Sequence, residues 1–214
     1  MSIATLIIGE SGSGKSASLQ HMVPAETLLI QSIAKPLPFK SKEWVRFNKD
    51  EAKTGNVFVT DSSENIIKLM QGTKRKIIVV DDYQYVMANE YMRRTNETGY
   101  TKFTEIAKHT WDVFKAASDL PDDVRVYFLS HTQTDENGAV RIKTIGKMLD
   151  EKITIEGMFT IVLKTVVTDS DYLFSTKNNG ADTVKSPIGM FDTERVPNDL
   201  LAVDTAIKNY YEIN

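Results

Sequence analysis

The sequence predicts an α/β fold in which a mostly parallel sheet is flanked by helices on both faces and extended by antiparallel strands at its C-terminal edge. Three observations predict it. Short runs such as Ile3 to Ile8 and Ile77 to Val80 are apolar throughout and rich in β-branched residues, as strands buried on both faces are. Stretches with helical spacing separate these runs over the first two thirds of the chain, the order produced by crossover-connected parallel strands. The last third turns instead to strands joined by short polar turns.

Taken in order, Ile3 to Ile8 is a strand that ends in glycines, and a helix is expected from Lys15 to about His21. Glu26 to Ser32 reads as a second strand through Leu28, Leu29 and Ile30. In Lys35 to Lys42 two prolines and the loss of periodicity predict an exposed loop. Val57 to Thr60 is a third strand. Asp61 then looks like a helix N-cap, with Glu64 completing a capping box and Ile66, Ile67 and Met70 forming the buried face. Ile77 to Val80 is the next strand, followed after Asp81-Asp82 by a long polar and aromatic stretch with no clear element. Phe103, Ile106, Ala107, Thr110, Phe114 and Ala117 keep helical spacing from Tyr100 to about Ser118. Val124 to Leu129 is another strand, Val140 to Thr144 a further one, and Phe159 to Val167 with Tyr172 to Ser175 a hairpin. A last helix begins near Asn198-Asp199 and buries Leu200, Val203, Ile207 and Tyr210 or Tyr211.

The 214 residues suit a single domain spanning 1–214. The absence of cysteine excludes a disulfide framework, a thiol nucleophile and thiolate metal sites. Three histidines make a histidine metal cage an unlikely design, and a net charge of -3 gives no global basic field for nucleic acid. No segment reads as a signal peptide or a membrane span, so no membrane association and a cytoplasmic location are expected.

Gly9-Glu10-Ser11-Gly12-Ser13-Gly14-Lys15-Ser16 matches the phosphate-binding pattern G-x-x-x-x-G-K-[ST] at every fixed position, between a predicted strand and a predicted helix. Glycines there let consecutive N–H groups point at phosphate oxygens without a Cβ in the way. A helix after the loop would add its positive end to the same anion. Lys15 is then the cation for the β- and γ-phosphates of a nucleotide such as ATP, and the Ser16 hydroxyl a ligand for Mg2+. Such a site needs a second oxygen ligand at the end of a neighbouring strand. Asp81 supplies it after four apolar residues and is assigned to the metal, through water. Asp82 either orients and activates the attacking water or caps the next helix. The strand ending Leu129-Ser130-His131-Thr132-Gln133 offers a γ-phosphate sensor in Ser130, His131 or Gln133.

With these motifs go Val79 to Tyr85, Met87 to Glu90, Leu129 to Thr132, Gly146 to Lys152, Lys185 to Phe191 and Pro197 to Leu200. In their order and spacing the chain resembles the phage-encoded RecA-like P-loop ATPases associated with single-strand annealing and recombination. The resemblance implies a RecA-like core and ATP hydrolysis in a homo-oligomer with nucleotide bound between subunits. A neighbour's basic residue would complete the site, with Lys147 the first choice and Lys152 the second. It also implies a role beside single-stranded DNA and a phage single-strand-binding protein, in the cytoplasm of a host bacterium. Two departures stand out. The strand after the P-loop ends in Gln31-Ser32 where RecA proteins place a catalytic glutamate, and the first core strand is expected to start at Ile3, so filament assembly is not carried over from the resemblance.

Basic clusters at Lys35 to Lys42, Lys74 to Lys76, Arg93-Arg94 and Arg141 to Lys152 are either solvated faces or phosphate contacts, with Tyr91, Tyr100 and Phe103 near the arginine pair as stacking candidates. A P-loop nucleotide or small-molecule kinase is the alternative enzyme, and a nucleotide-gated assembly module with negligible hydrolysis the alternative outside catalysis.

Overall fold

The computed structural model describes residues 1–48 and 54–213, the side chain of Asp150 apart. Nine strands join in one sheet among these residues: β1 (Ile3–Gly9), β2 (Thr27–Gln31), β3 (Val57–Val59), β4 (Ile77–Asp81), β5 (Arg125–Thr134), β6 (Val140–Ile142), β7 (Ile161–Val167), β8 (Tyr172–Ser175) and β9 (Arg195–Pro197). Their spatial order is β3-β2-β4-β5-β1-β7-β8-β9, with β6 paired to the end of β5. The six strands from β3 to β7 run parallel, and β8 and β9 are antiparallel additions at the C-terminal edge, as the sequence predicts. This is a mixed α/β fold with a mostly parallel central sheet, in which β5 is inserted between the loop-bearing β1 and the acid-tipped β4.

The alternation of side chains along each strand builds two cores. Leu6, Ile8, Leu28, Ile30, Ile78, Val80, Val126 and Phe128 turn to one face, where α1 (Ser63–Gly72), α2 (Gln84–Arg93) and α3 (Thr101–Ser118) cover them with Ile66, Met70, Val86, Ile106 and Phe114. Ile7, Leu29, Val79, Tyr127, Leu129 and Leu163 turn to the other, beneath Leu19 and the Leu200, Val203 and Ile207 stripe of α4 (Leu200–Tyr210). Burying both faces is what makes the central strands apolar throughout.

Several expectations shift. The segment after the phosphate loop is a 3₁₀ helix of six residues, Ser16–His21, whose few aligned peptide units make a poor dipole. The cap of α1 is Ser62, which accepts from the Asn65 N–H at 3.4 Å, so the capping box fails by one residue. Asp61 is used otherwise, accepting from Asn89 at 2.8 Å and Arg93 at 2.6 Å. The stretch after Asp82 is a helix, α2, whose buried positions Gln84, Val86 and Met87 give too mixed a stripe for periodicity to show. β5 runs on to Thr134 because its polar end pairs with β6. At the end of α4, Tyr211 packs against the second core while Tyr210 is exposed.

Residues 33–39 correct the exposed-loop reading most. Ile33, Lys35, Leu37 and Phe39 are half-buried, and Ala34, Pro36 and Pro38 between them are exposed. Pro36 lies in a short stretch between bends at 32–33 and 38–39, and burial alternates along the segment, with Leu37 and Phe39 packed on the second core. The segment is a strap laid across the end of β2.

Candidate functional site

The ends of β1, β4 and β5 converge on a cavity of about 720 Å³, lined by Gly12, Gly14, Lys15 and Ser16 together with Lys35, Asp82, Tyr85, His131, Tyr172 and Asn198. Its position beyond the carboxyl ends of parallel strands is where α/β sheets place ligands.

The loop itself is shaped by close approach. A Cβ on Gly9 would lie 1.8 Å from Thr165 Oγ1, and one on Gly14 would lie 2.1 Å from Asn198 Nδ2, at a φ of +95°. Glycine is required at both places. Thr165 donates to Ser13 Oγ at 2.7 Å, Ser13 donates to the Glu10 carbonyl at 2.6 Å, and Asn198 Nδ2 donates to the Gly14 carbonyl at 3.0 Å. The loop is thus clamped from β7 and from the segment before α4. Lys15 is buried and curls back over the loop, its Nζ 2.8 Å from the Gly9 carbonyl and 2.7 Å from that of Glu10. Burial pulls its pKa down to about 8 against the opposing pull of Asp82 and Asp81.

Ser16 Oγ lies 3.0 and 2.9 Å from the two carboxylate oxygens of Asp81. Asp81 is fully buried, and burial, with the adjacent charge of Asp82, raises its pKa to about 6. Two hard oxygen donors facing each other across β1 and β4 fit Mg2+, which keeps waters and phosphates for its remaining positions. Among the described residues no cluster of three His, Cys, Asp or Glu side chains offers a fuller protein cage.

Asp82 has a φ of +60°, a left-handed conformation that costs a non-glycine residue about 1 kcal/mol or more. Its carboxylate is ion-paired to Lys35 and stands 3.5 Å from His131 Nε2. Desolvation works to raise its pKa, but the hydrogen bonds of His131 and Lys35 prevail and hold it below the ordinary carboxylate value. Its side chain is not a helix cap, for α2 begins with no side-chain cap at all. His131 also meets Tyr85 edge-on, with ring centroids 5.8 Å apart.

Of the sensor candidates, His131 lines the cavity and Ser130 is wholly buried behind it. Gln31, at the end of β2, is buried in register with Asp81 and donates to the Lys35 carbonyl at 3.2 Å. Lys147 lies outside the cavity with an 89% exposed side chain, 3.8 Å from Glu151. Lys152 lines a separate groove with Trp111 and Met148. Several of the basic side chains considered for DNA are matched by acids: Arg94 by Glu90, Glu97 and Glu105, Arg93 by Asp61, Lys76 by Asp123 and Arg141 by Asp135. Tyr91 stacks on Phe103, whereas Tyr100 is exposed.

Sequence reasoning missed Tyr85, Thr165, Tyr172 and Asn198 as site residues and placed Lys35 on an outer surface. The alternation Ile33, Lys35, Leu37, Phe39 carried the signal for the last; the others sit beside the loop only through tertiary contacts.

No family model and no curated protein matches the chain. Solved structures do. The genome packaging NTPase B204 from Sulfolobus turreted icosahedral virus 2, in complex with ATP-gammaS, is 12% identical with a TM-score of 0.40, over 79% of this chain and 77% of that one. A DnaB-like replicative helicase, described with its interactions with primase, is 16% identical with a TM-score of 0.46, over 80% of this chain and 52% of that one. The chain therefore spans about half the length of the helicase. Among the described residues, no helix is long and apolar enough to cross a membrane.

Proposed function

We propose that the chain binds ATP with Mg2+ and hydrolyses it. The observation that carries this reading is the convergence of Lys15, Ser16, Asp82 and His131, drawn from three strand ends, on one cavity beside a glycine loop, with Asp81 hydrogen-bonded to Ser16. The loop N–H groups of residues 9–16 and Lys15 bind the triphosphate, and Lys15 exchanges the Gly9 and Glu10 carbonyls for phosphate oxygens, a stronger charge-assisted pairing. The short 3₁₀ helix adds little, so the loop and Lys15 carry the anion. Ser16 and Asp81 would hold the metal, which would supply charge neutralisation to the bound triphosphate. Asp82, kept ionised and weakly basic by its partners, orients water rather than taking its proton. His131 stands where a γ-phosphate is sensed, and Lys147, outside the cavity, acts only on a neighbouring copy's nucleotide in a homo-oligomer.

The resemblance to phage recombination ATPases adds an action on single-stranded DNA beside a single-strand-binding protein. ATPase rate with and without single-stranded DNA, run with size measurement on a non-hydrolysable analogue, tests both parts. DNA-accelerated turnover and ATP-dependent oligomers are expected. Full turnover by Lys15→Ala would remove the ATPase assignment, and phosphate transfer to a nucleoside monophosphate would favour a kinase.

A second reading, a nucleotide-gated assembly module with negligible hydrolysis, is favoured by one observation. The position at the end of β2 where a catalytic glutamate would stand holds Gln31, engaged with the strap. ATP-dependent assembly with no phosphate release would select it.

A further inference from the structure

We propose that Lys35 is a γ-phosphate-contacting cation that each chain supplies to its own nucleotide, distinct from the basic residue lent by a neighbour. The inference rests on the ATP reading above.

Four observations carry it. Lys35 lines the phosphate cavity together with Asp82, which it pairs with, and His131, which also stands at Asp82. It occupies an inward-turning position of the strap, between Ile33 and Leu37, and Leu37 anchors the strap on the second core. Its carbonyl is fixed by the buried Gln31 amide at 3.2 Å, and Gln31 lies beside Asp81 in the sheet. Its side chain is 40% exposed and its ammonium is parked on Asp82, so a positive charge is preorganised at the cavity wall.

Charge explains why a cation belongs there. In hydrolysis the water oxygen bonds to the γ-phosphorus as the bond to the β,γ-bridging oxygen breaks, the electron pair leaves with ADP, and the water proton passes to the phosphate product or to solvent. Negative charge spreads over the γ-oxygens and the leaving oxygen. Lys15 is the only other lysine or arginine lining the cavity among the described residues. Lys35 can bridge the γ-oxygens and the Asp82 carboxylate, which ties the cation to the residue that orients water. The lysine also differs from Lys147, which reaches nothing in its own chain's cavity.

The test is made on the full chain. Lys35→Ala should lower kcat about 100-fold or more, a threshold set below the roughly 10³–10⁵ that an arginine finger provides. It should weaken ATPγS binding and leave ADP binding within about twofold, because ADP has no γ-phosphate to contact. Lys35→Arg should keep most of the rate. A mixture of Lys35→Ala with Lys15→Ala should stay inactive, since the Lys15 variant has an intact Lys35 to lend but a cis-acting lysine cannot be lent. Turnover by Lys35→Ala within threefold of the unaltered chain, or faster, would overturn the proposal, and so would recovery of activity in the mixture. If Lys35→Ala loses ADP binding as well, the Lys35→Arg variant decides: restored ADP binding and turnover support the proposal, and no restoration overturns it. Failure of the unaltered chain to bind or hydrolyse ATP would instead remove the underlying reading.

Discussion

Ser16 and Asp81, 65 residues apart, are joined by a hydroxyl facing both oxygens of one buried carboxylate at 2.9 and 3.0 Å. The pair spans the gap between β1 and β4, strands that are not neighbours because β5 lies between them. In the proposed holo state both groups turn to the metal, so the hydrogen bond is what metal binding must replace.

Removing that carboxylate should uncouple nucleotide from metal. For Asp81→Asn, the ratio of ATP affinities with and without Mg2+ should fall towards one while ATP binding without Mg2+ persists, measured by calorimetry. An unchanged ratio would show that Asp81 does not serve the ion.

Lys15 sets a pH dependence with opposite signs in the free and bound protein. Its pKa in the free protein is lowered to about 8 from 10.5, so the folded state releases the proton before the unfolded state does. The lysine's burial therefore destabilises the free fold below about pH 8, and that penalty fades as pH rises towards 10.5. A phosphate beside the ammonium favours its charged form. ATP affinity should accordingly weaken above about pH 8, with proton uptake on binding that buffers of different ionisation enthalpy reveal.

A Cβ at Gly14 meets both a strained backbone and Asn198 Nδ2. Gly14→Ala should cost about 1–3 kcal/mol in strain and weaken ATP binding. Adding Asn198→Ala should recover part of the loss by opening the contact, leaving the backbone share and the approach to Tyr172 Cδ1 at 2.9 Å. Equal affinities for the single and double variants would refute the contact's contribution.

The buried network of Asp204 with Arg125 at 2.8 and 2.9 Å and Tyr127 Oη at 2.5 Å joins α4 to the edge of β5. Asp204→Ala strands a buried guanidinium and should destabilise the fold by about 3–5 kcal/mol in chemical denaturation. A loss under 1 kcal/mol would mean that water reaches Arg125 once the acid is gone.

The phosphate loop and the acids of β4 were legible because their chemistry is tied to local sequence: glycines at fixed spacing, and acids directly after four apolar residues. The sheet followed from the same apolar runs. Helix α2 was not legible because only Gln84, Val86 and Met87 are buried on it, and two apolar side chains set no period. Lys35 was misplaced because Pro36 and Pro38 suggest a loop, although burial alternates along the segment and leaves it half-buried. Thr165 and Asn198 carry no motif. They matter through hydrogen bonds to residues 152 and 184 positions away, a distance over which no local pattern speaks.

Those long-range clamps also order events during synthesis. The glycine loop is translated well before the side chains that hold its shape, Thr165 from β7 and Asn198 before α4, and before the helix covering its 3₁₀ turn. A ribosome-bound chain lacking residues 161–210 has the phosphate motif but none of its buttresses. Nucleotide capture on the growing polypeptide should therefore begin only when residues 161–210 clear the exit tunnel, so the motif matures long after it is made.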